Sequence, residues 1–208
     1  MKTKDFLKLR QDDDVTMDVV WTHVNEEKVR ALGFKCIKTI VNHKEEYIKR
    51  PDLGRIFDKA TIDELKKTCI HHPTVQILVA DGLSSPAIDA NLEDMYQILL
   101  DGFKYKGIDV GTPIYIRYGR VATMDYITEV LGAKVTILLV GERLGLATGE
   151  SMSAYMAYEA SPKKPESQRT VVANIHKNGL YPVEAGAQII HITEIMLEKK
   201  KSGVELKM

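Results

Sequence analysis

Val75–Ala80 reads VQILVA and runs directly into Asp81-Gly82. A short, almost wholly apolar run closed by turn residues is the pattern of a strand covered on both faces. A helical stripe follows it, with Leu92, Met95, Tyr96, Leu99 and Phe103 returning to one side of the helix. Pro113–Arg117 (PIYIR) is the next strand. The helix after it carries Met124, Ile127 and Leu131 on one face and stops at Gly132, a natural left-handed cap. Val135–Val140 (VTILLV) is a third buried strand, and Ala154–Tyr158 and Thr170–Ile175 are two more. Strand–helix–strand–helix order predicts right-handed crossovers and a parallel sheet. The fold class expected is α/β, a parallel (Rossmann-like) sheet flanked by helices, with a small helical N-terminal region.

The flanks complete this outline. A last helix opens at Pro182, a favoured first-turn residue, and is expected to bury Val183, Ala187, Ile190 and Leu197. Its Lys199–Lys201 run lies where the helix dipole favours cations. Upstream of residue 70 the chain is charged and helix-biased. Thr61-Ile62-Asp63-Glu64 has the spacing of a capping box, and Ile62, Leu65 and Cys69 then share a face. Arg50-Pro51-Asp52 is expected to begin another short helix, with Leu53, Ile56, Phe57 and Ala60 on its apolar side. Residues 1–20 are polar and poorly periodic, which predicts a loosely held arm. The division expected is a helical region over 1–70 and an α/β domain over 71–208.

Composition narrows the function. The chain has 208 residues, is 44% hydrophobic and 28% charged, and balances 29 Lys+Arg with 29 Asp+Glu. That is the make-up of a folded domain, not of a disordered chain. A net charge of zero supplies no field to attract a phosphate backbone, so nucleic acid is an unfavoured partner. Two distant cysteines, Cys36 and Cys69, form neither a disulfide framework nor a Cys-x-x-Cys site and indicate a reducing compartment. No apolar run approaches the roughly 20 residues that span a bilayer. The expectation is a cytoplasmic protein without a membrane segment.

In open α/β sheets, ligands bind beyond the carboxyl ends of the strands. The polar words of this sequence fall there: Asp81-Gly82-Leu83-Ser84-Ser85, Arg117-Tyr118-Gly119-Arg120, Gly141-Glu142-Arg143 and Asn174-Ile175-His176. Asp81 can bind a ligand hydroxyl or cap its own turn. Arg117 and Arg120 can meet a ligand oxygen or pair with internal acids. Glu142, closing an apolar strand, can accept hydrogen bonds from a ligand's amides or pair with Arg143 or another cation. The glycine-rich loop from Gly141 to Gly149 fits neither the dinucleotide fingerprint nor the P-loop. His71-His72 points to opposite sides of an extended segment and makes a poor metal site. His176 is as well explained by structure as by function. No nucleophile–base pair is present, so the chain does not read as a catalyst on its own.

Taken together, several ordered words resemble those of the small (light) subunit of ethanolamine ammonia-lyase. They are Arg50-Pro51-Asp52-Leu53-Gly54-Arg55, Asp81-Gly82-Leu83-Ser84, Arg117-Tyr118-Gly119-Arg120-Val121, Leu138–Arg143, Glu150–Tyr155, Arg169-Thr170, Asn174-Ile175-His176 and Pro182–Ala185. The resemblance runs from about Tyr47 to Leu206. It implies a C–N lyase that uses adenosylcobalamin to convert ethanolamine to acetaldehyde and ammonia. In that family a large subunit holds substrate and catalytic residues, and the small subunit covers the cofactor within a hetero-oligomer. By motif match, Val121, Glu142 and Val171 correspond to the cobalamin contacts, Glu142 accepting from corrin amides and the valines offering backbone groups and apolar contact. No Asp-x-His-x-x-Gly word is present, which implies that the cofactor keeps its own base on cobalt. The family's setting is the cytoplasm or an ethanolamine-utilising bacterial microcompartment. A non-catalytic assembly module derived from this subunit and a free-standing α/β nucleotide-binding protein are the alternative readings.

Overall fold

The computed structural model describes residues 21–142 and 149–206. The arm at 1–20 and residues 143–148 of the glycine-rich loop lie outside the described residues. Six strands form one sheet: β1 (Lys35–Lys38), β2 (Val75–Ala80), β3 (Ile114–Arg117), β4 (Val135–Gly141), β5 (Met152–Tyr158) and β6 (Thr170–Ile175), in the order β1-β3-β2-β4-β5-β6. The helices are α1 (Glu26–Ala31), α2 (Lys44–Lys49), α3 (Lys59–Thr68), α4 (Ser85–Tyr105), α5 (Thr123–Leu131) and α6 (Pro182–Lys199).

Strands β1 to β4 are mutually parallel, as the alternation of strands and helices predicts. The sheet is nevertheless mixed, because β5 runs antiparallel to both β4 and β6. Nothing helical lies between β4 and β5 among the described residues, and the link spans only residues 142–151. A parallel return needs a crossover of a dozen or more residues, so a link of this length favours the antiparallel neighbour. The wholly parallel, Rossmann-like sheet therefore gives way to a four-stranded parallel part extended by an antiparallel pair.

Three readings of the first 70 residues are corrected. The segment contains a strand, β1, which pairs with β3 at the edge of the sheet. Its four residues are too few to show a period, so their alternation was invisible in a charged context. The cap of α3 is Asp58, whose carboxylate accepts from the Thr61 amide at 2.7 Å. Thr61 and Glu64 thus lie inside the helix and do not form the capping box. Arg50 ends α2 instead of opening a helix, and only a 3-10 turn, Leu53–Arg55, follows.

Side chains alternate cleanly across the sheet. One face, with Ile77, Val79, Tyr115, Ile137, Leu139, Met152, Ala154 and Met156, packs under α1, α4 and α6. The other, with Leu78, Ala80, Ile114, Ile116, Leu138 and Val140, packs under α3 and α5. Ser84 caps α4, its hydroxyl accepting from the Ala87 amide at 3.3 Å. Gly132 ends α5 in the left-handed region at φ 69°.

Helix α6 begins at Pro182 but turns a different face inward from the one expected. Ala185, Ile189, Ile192 and Met196 are buried; of the expected residues Ile190 and Leu197 are half-buried against the core, while Val183 is 67% exposed and Ala187 is exposed. Both stripes are apolar enough to bury. The inner one packs against α4, where Ile190 at its margin fills the space beside Gly102: a Cβ there would stand 2.1 Å from the Ile190 Cδ1. Contact between the helices, not hydrophobicity alone, selects the face.

Candidate functional site

Because β1 to β4 are parallel, their carboxyl ends open on one edge of the sheet, and the antiparallel pair brings the start of β5 and the end of β6 to the same edge. The polar words do converge there. Their local roles differ.

Asp81 follows β2 and is 1% exposed, 3.9 Å from the ammonium of Lys44, itself 5% exposed. Neither carboxylate oxygen, nor the Lys44 nitrogen, has a hydrogen-bond partner among the described residues. Burial pushes the Asp81 carboxyl up to about 6, against the opposing pull of Lys44. Burial likewise lowers Lys44. Asp81 is thus a buried charge under α2 and does not cap its own turn.

Arg117 lies 3.5 Å from Glu26 and its guanidinium is 5.2 Å from the Tyr118 ring centre, so it pairs internally. Arg120 also turns inward: it donates to the Tyr47 carbonyl at 2.9 Å and lies 4.1 Å over the Tyr47 ring. His176 is 6% exposed, with Nε2 2.8 Å from Asn174 Oδ1, and its Nδ1 accepts from the Asn178 amide at 3.3 Å. It shapes its own turn. His71 holds the Lys66 carbonyl through Nε2 at 2.7 Å, and no metal-holding group of side chains occurs among the described residues. Gly141 serves close backbone approach: a Cβ there would stand 1.9 Å from the Ser84 carbonyl oxygen.

Val121, Glu142 and Val171 come together on the face shared with α5, around a residue the sequence reading did not single out, Tyr155. Val121 lies just before α5 and lines a cleft of about 280 Å³ with Arg55, Arg120, Tyr155, Glu166 and Arg169. The Tyr155 hydroxyl donates to Glu142 Oε1 at 3.0 Å. Val171 is the direct cross-strand partner of Tyr155 in the β5–β6 register and therefore shares its face. It is 44% exposed. The partner of Glu142 among the described residues is thus a phenol; Arg143, the cation expected beside it, lies outside them. Burial first, then the Glu142 charge, pushes Tyr155 up to about 12, so it stays a hydrogen-bond donor. The signal that could have found Tyr155 was the alternation of β5: Met152, Ala154 and Met156 point to one core, which sends Tyr155 to the other side.

A buried ion pair braces the rim. Arg169 meets Asp125 of α5 at 2.6 Å, both side chains under 10% exposed, and reaches Glu166 at 3.2 Å. Burial raises the Asp125 carboxyl and Arg169 opposes it. The result is a shallow wall with apolar patches at Val121 and Val171 and an acceptor at Glu142, which the Tyr155 hydroxyl holds. Among the described residues it contains no activated nucleophile. A cleft of this volume is at the small end for enclosing even a drug-sized molecule. It can press against one side of a large flat ligand, and it cannot swallow one.

Comparison with known proteins gives the family of the chain, not the role of this cleft. The family model "Ethanolamine ammonia-lyase light chain (EutC)" matches residues 1–207. The chain is similar to the ethanolamine ammonia-lyase small subunit of Clostridium acetobutylicum, at 56% identity over 208 residues covering 100% of this chain and 86% of the relative. It is 48% identical to that of Fusobacterium nucleatum and 45% to that of Listeria innocua, each over 206 residues covering 99% of this chain and 70% of the relative. The likeness extends through the first 46 residues, where no family word was legible. No described helix is long and apolar enough to cross a membrane. The chain belongs to the ethanolamine ammonia-lyase light-chain family, the small subunits of a lyase.

Proposed function

We propose that this chain is the cobalamin-covering subunit of an adenosylcobalamin-dependent ethanolamine ammonia-lyase, and that it works only in complex with a large subunit carrying the substrate site. One observation supports this reading above the others: Val121, Glu142 and Val171 lie round a single tyrosine on a face of the sheet left partly bare. A half-exposed valine beside a carboxylate and a phenol suits a ligand with apolar edges and amide arms, and the corrin ring is such a ligand. Glu142 would accept from an amide N–H, Tyr155 would hold the carboxylate in place, and Val121 and Val171 would exclude water. When bound, the cofactor supplies radical chemistry by homolysis of its cobalt–carbon bond. The contribution of this chain is to bind and to shield.

In this reading the catalytic groups are supplied by the partner. The hetero-oligomer and a cytoplasmic or microcompartment setting belong to the same reading. Co-purification with an ethanolamine ammonia-lyase large subunit, followed by an adenosylcobalamin- and ethanolamine-dependent ammonia assay, tests it. The expected result is a stable complex with activity that neither chain has alone. A complex without activity would indicate a divergent scaffold. No complex, together with nucleotide binding by the chain alone, would favour the free-standing binder.

A further inference from the structure

The turn that delivers Val121 to the cleft has local bonds, from the Gly119 amide to the Ile116 carbonyl at 3.3 Å and from the Thr123 amide and hydroxyl to the Arg120 carbonyl, and is otherwise held from outside. Tyr118 sits at φ 58°, a conformation that costs a bulky residue energy and persists only where the surroundings fix it. Three successive residues of this turn are engaged by the segment from Thr39 to Gly54. The Tyr118 carbonyl accepts from the Thr39 hydroxyl at 3.1 Å, and the Gly119 carbonyl from the Tyr47 hydroxyl at 2.8 Å. The Arg120 amide donates to the Gly54 carbonyl at 2.8 Å. The Arg120 side chain closes the loop by bonding the Tyr47 carbonyl and lying over the Tyr47 ring. Tyr47 is wholly buried, with the Tyr118 ring 5.7 Å away.

We infer that Tyr47 is a positioning residue, which through its hydroxyl, carbonyl and ring fixes the Tyr118–Arg120 turn and so sets where Val121 stands in the cleft. The inference rests on the functional reading above, in which Val121 meets the cofactor, and gives helix α2 a part in that site although it lies outside the cleft. Burial pushes the Tyr47 phenol far above its ordinary value, so its hydroxyl remains a donor at any pH the fold tolerates. Gly54 belongs to the same device: a Cβ there would stand 2.8 Å from Arg120 Cγ and 3.1 Å from the Tyr118 carbonyl oxygen. The family word Arg50–Arg55 thus has a physical use, as the seat of the turn.

Tyr47→Phe removes the hydroxyl and keeps the ring, and Thr39→Val releases the neighbouring carbonyl in the same way. In the complex with a large subunit, each is expected to weaken adenosylcobalamin binding about fivefold, the worth of one hydrogen bond. The ethanolamine KM at saturating cofactor should stay at its original value. Thr193→Val is the control, since it removes a buried hydroxyl bonded to the Ile189 carbonyl at 2.8 Å on the far side of the sheet. Cofactor affinity unchanged in both turn variants overturns the inference, as does an equal loss in Thr193→Val. A wild-type complex that binds no adenosylcobalamin refutes the functional reading separately. Amide exchange then decides on Tyr47 alone: faster exchange at Arg120 in Tyr47→Phe supports its hold on the turn, and unchanged exchange overturns it.

Discussion

Replacing Lys44 by methionine should destabilise the chain heavily at alkaline pH and only mildly at acid pH. Lys44 and Asp81 face each other at 3.9 Å with 5% and 1% exposure, and neither has a hydrogen-bond partner among the described residues. Removing one member of such a pair strands the other charge in a dry site, which costs about 3–5 kcal/mol. For a chain of this size that corresponds to a fall in Tm of roughly 10 °C. The pH dependence follows from Asp81. Its carboxyl lies at about 6 in the fold against an ordinary 3.8, so the folded state holds the proton more tightly than the unfolded one. Its contribution is therefore most favourable below the ordinary value and is lost as pH rises through about 6. The difference is on the order of 3 kcal/mol. Lys44 is the strongest influence holding that carboxyl down, so in Lys44→Met it rises further and is protonated at pH 5. Urea unfolding of the full chain should show the whole deficit at pH 8 and most of it gone at pH 5. The double variant Lys44→Met/Asp81→Asn should recover part of the loss at pH 8, because no charge is left stranded. A deficit below about 1 kcal/mol at pH 8, an equal one at pH 5, or additive single effects would refute the reasoning.

Three further outcomes are expected. Glu142→Ala removes the acceptor of the Tyr155 hydroxyl and should cost about 1 kcal/mol in urea unfolding, yet weaken adenosylcobalamin at least tenfold in the assembled enzyme. Unchanged cofactor affinity by spectrophotometric titration would sink the role given to Glu142. Val171→Lys changes a half-exposed site and should move the stability of the isolated chain by only about 0.5 kcal/mol, while cofactor binding in the complex is lost. Retained binding would put Val171 outside the site. Gly141→Ala forces a Cβ against the Ser84 carbonyl, backbone against backbone, and should cost about 3 kcal/mol. Gly107→Ala, at φ 67° with nothing within 4 Å, should cost about 1 kcal/mol, and equal Tm losses in the two would contradict the packing argument.

The elements with a strong period were legible in the sequence. Val75–Ala80 and Thr170–Ile175 occupy the residues their patterns marked, and Leu92, Met95, Leu99 and Phe103 all reach the core. Strand direction was not legible, since β5 alternates in the same way whichever way it runs. What turned it was the length of the link before it. The inner face of α6 was hidden for another reason: two apolar stripes competed, and packing against α4 and the sheet decides which one turns inward. At the candidate site, the three residues marked by family words stand close in space, but Tyr155 between them follows only from register. The Tyr47 device was hidden as well, because it joins residues more than 70 positions apart.

The two sides of the sheet are unequally dressed. Helices α4 and α6 reach across β5 and β6 on one side, whereas α5 on the other packs on β4 and leaves Val171 half bare beside Tyr155. Strand β6 is also the last in the sheet, tied down near its ends by the Gly203 amide on Thr170 and by Leu180 against Ile175. Between those ties lies a short, largely apolar strand whose outer margin pairs with no further strand among the described residues, which invites strand-to-strand association. Synthesis in excess of whatever seals this surface would therefore carry a penalty in solubility. If the partner proposed above is what seals it, balanced production of the two chains would be a requirement written into the sheet itself, independent of any need for the reaction.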